Sequence, residues 1–272
     1  MKKTKLLSLV LAGALTLGLV GCGGSTAKKE EDKVITIGAS AVPHGDIINA
    51  IKPLVEAKGY TLEVKIFDDY NTPNTAVYEG EIDANYFQHI AFLNETNKQK
   101  GYDLVNIAEI HLEPITLYSK TAKSLDEIKD GDTIAIPNDA TNEARALRVL
   151  EEAGLIKVTD GDLITPNDIT ENPRNLKFRE LSAEQLPRVL DEVTAAIING
   201  NYALQANLDQ SKEGLYTENK DGKYINDKRN ILVVKKGNEN SEKSQILKEA
   251  LTSEECRKFI EDTYKGSLIP VF

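Results

Sequence analysis

Two hydrophobic periods alternate along the chain. From residue 34 onward, short β-branched runs recur between stretches whose apolar positions return every three or four residues. Val34-Ile35-Thr36-Ile37-Gly38 reads as a buried strand, and Leu62, Val64 and Ile66 alternate over 61–67 as a strand with one buried face. Further strands are predicted over 105–110, 115–119, 133–137, 176–181, 195–198 and 231–235. Ile47, Ile48, Ile51, Leu54 and Val55 keep helical spacing over 44–58, although Pro53 removes one hydrogen bond from that helix. Other helices are predicted over 90–98, 141–153, 183–189 and 254–265, with Ser182 and Gln185 spaced as a capping box and with Gly154 and Gly266 where helices stop. Alternating strands and helices imply an α/β architecture with largely parallel sheets. There is no internal repeat, and the polar stretch 208–229 reads as a surface excursion.

The first thirty residues follow a different pattern. Lys2, Lys3 and Lys5 precede an apolar run over 6–20, which is shorter than the ~20 residues a spanning helix needs. Leu19-Val20-Gly21-Cys22 then resembles the lipobox read by lipoprotein signal peptidase. Residues 1–21 are therefore expected to be a signal peptide, and Cys22 the site of lipidation. The small polar segment 22–32 would be a flexible tether with a reach of roughly 18 Å. The mature chain would sit lipid-anchored on the extracytoplasmic face of the cell membrane. Loss of the three lysines makes the net charge of −10 more negative still. That charge excludes nucleic acid as a partner and disfavours flat contact with anionic lipid. Cys256 is the one other cysteine, so no disulfide forms within a lipidated chain and packing must hold the fold. The mature length accommodates one large domain or two lobes.

Three segments carry candidate chemistry. Asn138 to Arg145 follows the strand ending at Pro137 and opens a helix with Thr141 as N-cap. Asn142 and Arg145 share a face in the first turn, where free N–H groups and the helix dipole favour an anion and a guanidinium grips a carboxylate with two prongs. The same residues fit a surface arginine paired with Glu143 or Glu151. Asp83 to His89 joins a short strand to the helix beginning at Ile90. Tyr86, Phe87 and His89 fit the wall of an apolar slot with a polar tip, and they equally fit core packing with His89 as a cap. Asn199 stands at the carboxyl end of a buried strand, where ligands bind in open α/β sheets and an amide oxygen accepts from an ammonium; Asn199-Gly200 is also a turn signal. Asn230 sits similarly before the strand 231–234. His44, His89 and His111 are scattered and show no metal-ligand spacing, and there is neither a Gly-rich phosphate loop nor a Gly-x-Ser-x-Gly. No metal, cofactor or catalytic residue is expected.

Together these segments resemble the NlpA/MetQ family, the methionine-binding lipoproteins of ABC importers. The resemblance is carried by Glu81-Ile82-Asp83-Ala84-Asn85-Tyr86-Phe87-Gln88-His89, by His111-Leu112-Glu113-Pro114 leading to Leu117-Tyr118-Ser119-Lys120, and by Ile134 to Asp139 with Thr141-Asn142-Glu143 and Arg145. It continues through Ile198-Asn199-Gly200-Asn201-Tyr202-Ala203 to Ile269-Pro270-Val271-Phe272, so it spans about 34–272 in order. It implies a two-lobed periplasmic-binding-protein-like fold (type II) with a ligand cleft between the lobes, lobe I being 33–119 plus 231–272 and lobe II 120–230. It further implies that Tyr86, Phe87 and His89, joined by Tyr70, line a side-chain pocket. Asn142 and Arg145 would hold the ligand carboxylate, and Asn199 and Asn230 would hold its ammonium or clamp the second lobe. The implied ligand is methionine, the implied partners are an ABC permease and its ATPase, and the implied role is binding, without enzymatic activity. The chain departs from the family pattern at Ile115-Thr116, Ala140, Ala144 and in the loop Ala39 to His44. These departures keep every polar anchor but admit D-methionine or a methionine-containing dipeptide as ligand. A lipid-anchored hydrolase is the alternative of another class.

Overall fold

The computed structural model describes residues 33–222 and 224–272. The expected signal peptide, the tether and Cys22 lie outside the described residues. Apolar β-branched runs form the strands wherever neighbours cover both faces. β1 (Val34–Ala39) lies between β2 (Thr61–Ile66) and β3 (Ala84–His89), parallel to both. Helix α1 (Asp46–Glu56) continues through Pro53 and buries Ile47, Ile48, Ile51 and Val55 in the core that also holds Ile35 and Ile37. A tight π-type turn, Ala41–Gly45, replaces the first residues of the expected helix and places His44 inside. Then come α2 (Thr72–Glu79) and α3 (Ile90–Lys100), on either side of β3, and β4 (Leu104–Leu112).

A second sheet follows. It contains β5 (Thr116–Tyr118) and β6 (Thr133–Pro137), with helix α4 (Ala140–Glu152) after β6 and a small hairpin of β7 (Lys157–Val158) and β8 (Ile169–Glu171). It is completed by β9 (Lys177–Leu181), β10 (Ala195–Ile198) and β11 (Gly214–Thr217), with the short helices α5 (Gly200–Gln205) and α6 (Gln210–Glu213) between the last two. The chain then returns to the first sheet as β12 (Arg229–Lys235), adds α7 (Glu242–Leu251) and α8 (Glu254–Tyr264), and ends near β13 (Ile269–Pro270). The strand orders are β13-β4-β12-β3-β1-β2 and β11-β5-β10-β6-β9. This is the two-lobed periplasmic-binding-protein-like α/β fold, each lobe closed around its own apolar cluster.

Four expectations need correction. The sheets are mixed rather than largely parallel, because β12, β5 and β11 enter antiparallel to their neighbours. The passage between sheets falls between Leu112 and Thr116, not after Ser119, since β5 pairs with β10 and β11. The segment 183–189 is a 3-10 turn containing Pro187, and Ser182 makes no capping bond with its side chain. The stretch 208–229 is no bare excursion: it supplies α6 and β11, and a buried Glu218.

Candidate ligand-binding site

β3 explains how one short segment serves both core and cleft. Successive side chains on a strand face opposite ways. Tyr86 therefore points into the core of the first lobe, fully buried, with its hydroxyl 2.5 Å from His111 Nδ1, while Phe87 and His89 reach the junction of the two lobes. Tyr86 is thus not brought to the cavity with the other seven expected site residues. Asn85 and Gln88, which mask the strand in the sequence, are reconciled with burial by hydrogen bonds to Asn74 at 2.9 and 2.6 Å. His89 also caps α3, accepting from Phe92 N–H through Nδ1 at 3.1 Å.

A cavity of about 340 Å³ lies at the lobe junction. Tyr70, Phe87 and Phe92 form an aromatic wall, with ring centroids 5.8–6.1 Å apart. Tyr70 also donates to Asn201 Oδ1 at 2.5 Å and stacks obliquely on Tyr202, whose hydroxyl donates to the Asp68 carbonyl at 3.0 Å. These bonds tie the loop after β2 to α5 of the opposite lobe. His89, Asn142, Arg145, Asn199 and Asn230 line the polar part of the cavity, together with His44, Gln88, Glu113 and Asn201. Sequence reasoning did not single out these last four for the cleft.

The geometry of Arg145 differs from expectation. The N-cap of α4 is Asp139, not Thr141; its carboxylate accepts from Asn142 N–H at 3.0 Å. Asn142 and Arg145 do share the inner face of α4, but Arg145, its sixth residue, stands in the second turn rather than the first. The guanidinium fork, however, is already engaged: Nε donates to Glu218 Oε1 at 2.8 Å, and Nη2 donates to Glu218 Oε2 at 2.5 Å and to the Glu113 carbonyl at 2.8 Å. Burial opposes the charge of Arg145, yet the pairing with Glu218 outweighs it and holds its pKa above the ordinary value. Only Nη1 has no hydrogen bond among the described residues. Neither Glu143 nor Glu151 is the partner; Glu151 pairs with Arg148 at 2.9 Å.

Asn142 is the hub between the lobes. Its Oδ1 accepts from His89 Nε2 at 3.2 Å and from Asn199 Nδ2 at 2.9 Å, and its Nδ2 donates to both oxygens of Asp139 at 3.0 Å. Both nitrogens of the His89 ring are then satisfied in the neutral form, and burial holds its pKa well below the ordinary value. His44 is similarly occupied, with Nε2 on Asn230 Oδ1 at 3.0 Å and Nδ1 on Ser40 Oγ at 2.7 Å; burial lowers its pKa to about 4. Asn230 Oδ1 is thus engaged by His44, while its Nδ2 has no hydrogen bond among the described residues. Two buried atoms at the cavity have no partner among the described residues, the acceptor Asn199 Oδ1 and the donor Asn201 Nδ2.

The fold also gathers two of the histidines that look scattered in the sequence. Ligand-capable atoms of His44, His111 and Glu113 lie within 4.8 Å of one another, all buried. Each of the four ring nitrogens already has a hydrogen-bond partner, in Ser40, Asn230, Tyr86 and Glu113. A metal ion would displace two of these bonds.

At the start of α4, burial and the charges of Glu180, Asp139 and Asp168 raise the pKa of Glu143 from 4.5 to about 7. The folded chain therefore binds this proton more tightly than the unfolded chain. The resulting stabilisation is full below the ordinary carboxylate range and is lost as pH rises through about 7. Glu143→Gln, a mimic of the protonated form, should gain on the parent by about 1 kcal/mol in chemical denaturation between pH 5 and pH 8, allowing for solvent screening. A gap that does not change with pH would remove the shift.

The family model described as NlpA lipoprotein matches residues 35–272, nearly the whole described body. The chain belongs to the NlpA lipoprotein family. Among its NlpA relatives, the methionine-binding lipoprotein MetQ of Bacillus subtilis is 40% identical over 97% of this chain and 96% of its own length. The probable D-methionine-binding lipoprotein MetQ of Vibrio cholerae is 39% identical over 97% of each chain. A solved nutrient-binding protein from Burkholderia cenocepacia, bound to methionine, superposes with a TM-score of 0.83 at 38% identity, covering 88% of this chain and 100% of that one.

Proposed function

We propose that this NlpA lipoprotein is the substrate-binding component of an ABC importer, that it holds methionine in the cavity between its lobes, and that it is anchored outside the membrane through a lipid on Cys22. The observation that carries the reading is the set of polar atoms left open once all protein–protein bonds are made. The donors Arg145 Nη1, Asn201 Nδ2 and Asn230 Nδ2 match a carboxylate, the acceptor Asn199 Oδ1 matches an ammonium, and the aromatic wall matches a thioether side chain. A zwitterion satisfies these groups, and leaving them unpaired in a desolvated site is costly. The methionine-bound relative and the names of the others support the same ligand. We assign 33–112 plus 229–272 to lobe I and 116–217 to lobe II. Ligand then favours the closed arrangement that a permease and its ATPase recognise. The role is binding, not catalysis.

Isothermal calorimetry with methionine, D-methionine and a methionine-containing dipeptide tests the reading. One of the two methionine enantiomers is expected to bind at micromolar concentration or below, and to raise the melting temperature. Silence with all three would overturn it. Phe87→Ala should weaken the binding by about 1–3 kcal/mol, or roughly 5- to 150-fold, less than truncation of a core aromatic, with the fold retained. Unchanged affinity would place Phe87 away from the ligand.

A further inference from the structure

The turn that follows β2 is tied at both ends to its own lobe. Phe67 N–H donates to the Ala39 carbonyl at 2.9 Å, and the Asp69 carboxylate accepts from Asn71 N–H at 2.6 Å and from Thr72 N–H at 2.9 Å, where α2 begins. A short carboxylate that bonds the backbone just ahead of it fixes a turn in this way. The turn therefore moves with the first lobe as a rigid knuckle, not as a flexible flap. It presents the Asp68 carbonyl and the Tyr70 ring to α5.

The surface that receives the knuckle is equally fixed. The Tyr202 ring is only 4% exposed and belongs to the apolar cluster that also holds Leu186, Leu190 and Ile198. Tyr70 packs against the same cluster from the other lobe, its ring centroid 5.0 Å from that of Tyr202. The Tyr202 hydroxyl donates to the Asp68 carbonyl at 3.0 Å. Tyr202 does not line the cavity. Tyr70 and Phe92 do, and both also border a larger recess of about 860 Å³. Asn71, Glu95 and Gln99 line that recess from one lobe, and Asn138, Asp139 and Thr141 from the other. The two rings thus stand between the cavity and the recess.

We infer that Tyr202 is a positioning residue for binding: its hydroxyl latches the knuckle to α5, so that Tyr70 is held across the passage from the recess to the cavity, and the lifetime of the bound state depends on a bond the ligand does not touch. The ligand and the lobes are taken as proposed above. When the lobes part, the Tyr202–Asp68 and Tyr70–Asn201 bonds have to break together, because the knuckle belongs to one lobe and both of its partners lie on α5 of the other. Both bonds are made by protein atoms alone, so the latch acts with or without ligand.

Tyr202→Phe on the mature chain removes the hydroxyl and keeps the ring. Labelled methionine chased with excess unlabelled methionine should leave the variant about 3- to 10-fold faster than the parent, the range expected for one hydrogen bond, with association no slower. Without ligand, amide hydrogen exchange should quicken over 68–72 and 200–205 and stay unchanged in β6. Asp69→Ala, which loosens the knuckle from the other lobe, should move both readouts in the same direction. An unaltered release rate in Tyr202→Phe would overturn the latch. So would faster release accompanied by exchange that also rises in β6, which would make the hydroxyl a support of the second lobe's core. A parent that binds no methionine overturns the proposed ligand alone, because the exchange readout needs none; exchange unchanged over 68–72 and 200–205 overturns the latch in either case.

Discussion

Arg145→Ala should unfold more readily than the parent and should no longer bind methionine measurably at micromolar protein. The two effects have separate causes. Removing the guanidinium strands Glu218, 8% exposed, without its partner. Breaking one side of a buried pair in this way typically destabilises by about 3–5 kcal/mol. The same change removes a guanidinium that lines the cavity and whose Nη1 has no hydrogen bond among the described residues. Loss of a charged partner to a desolvated carboxylate costs about 2–5 kcal/mol, or roughly 30- to several-thousand-fold in affinity. Arg145→Lys should do little better, because a point charge reproduces neither the fork on Glu218 nor the third bond to the Glu113 carbonyl. Glu218→Gln separates the causes. It should lower stability while leaving methionine affinity within about threefold of the parent, because Nη1 and the charge of Arg145 remain. If Glu218→Gln lost binding to the same degree as Arg145→Ala, Arg145 would act by holding the fold rather than by meeting the ligand.

The second large effect concerns Cys22. Among the described residues no helix is long and apolar enough to cross a membrane, and the body is acidic. Neither insertion nor attraction to anionic lipid would keep it at the surface. Retention would then depend on acyl chains, each buried CH₂ contributing about 0.8 kcal/mol, with stable anchoring requiring more than one chain. In cells fed an alkyne-bearing fatty acid, the parent should take up label and its amino terminus should begin at Cys22. Cys22→Ala should take up none. Label retained by the variant, or none on the parent, would rule out the proposed anchor.

Strands covered on both faces by apolar neighbours were the most legible part of the fold. The segments 133–137 and 195–198 read as strands, and the structure gives β6 and β10 those bounds. Continuous apolar runs leave few alternatives. The bounds of β3 were illegible beyond a short strand ahead of Ile90, because Asn85 and Gln88 interrupt the pattern, and their burial depends on Asn74. Helices α2 and α7 went unread for a related reason: each buries only part of one face, and polar residues such as Asn74 and Ser244 stand among the buried ones. At the site, residue types showed where an anion or an apolar side chain fits, but not which groups were already taken. The partner of Arg145 lies in a stretch read as exposed, and that of His44 is Asn230, far along the chain. Local periodicity carries no trace of such pairs; they follow from how the strands are ordered.

That ordering has a consequence for synthesis. β12, one of the last strands made, lies between β3 and β4 and is the only strand that joins them. Until it has been synthesised, both neighbours present open edges, a form that invites pairing with other chains. The second sheet, by contrast, is complete once Thr217 has been delivered. The lobe made from the middle of the polypeptide is thus able to mature first, while the lobe begun earliest waits for the carboxyl-terminal segment. A nascent chain stalled between Thr217 and Arg229 would carry one finished half beside an adhesive, unfinished one, and protection by chaperones would matter most in that interval.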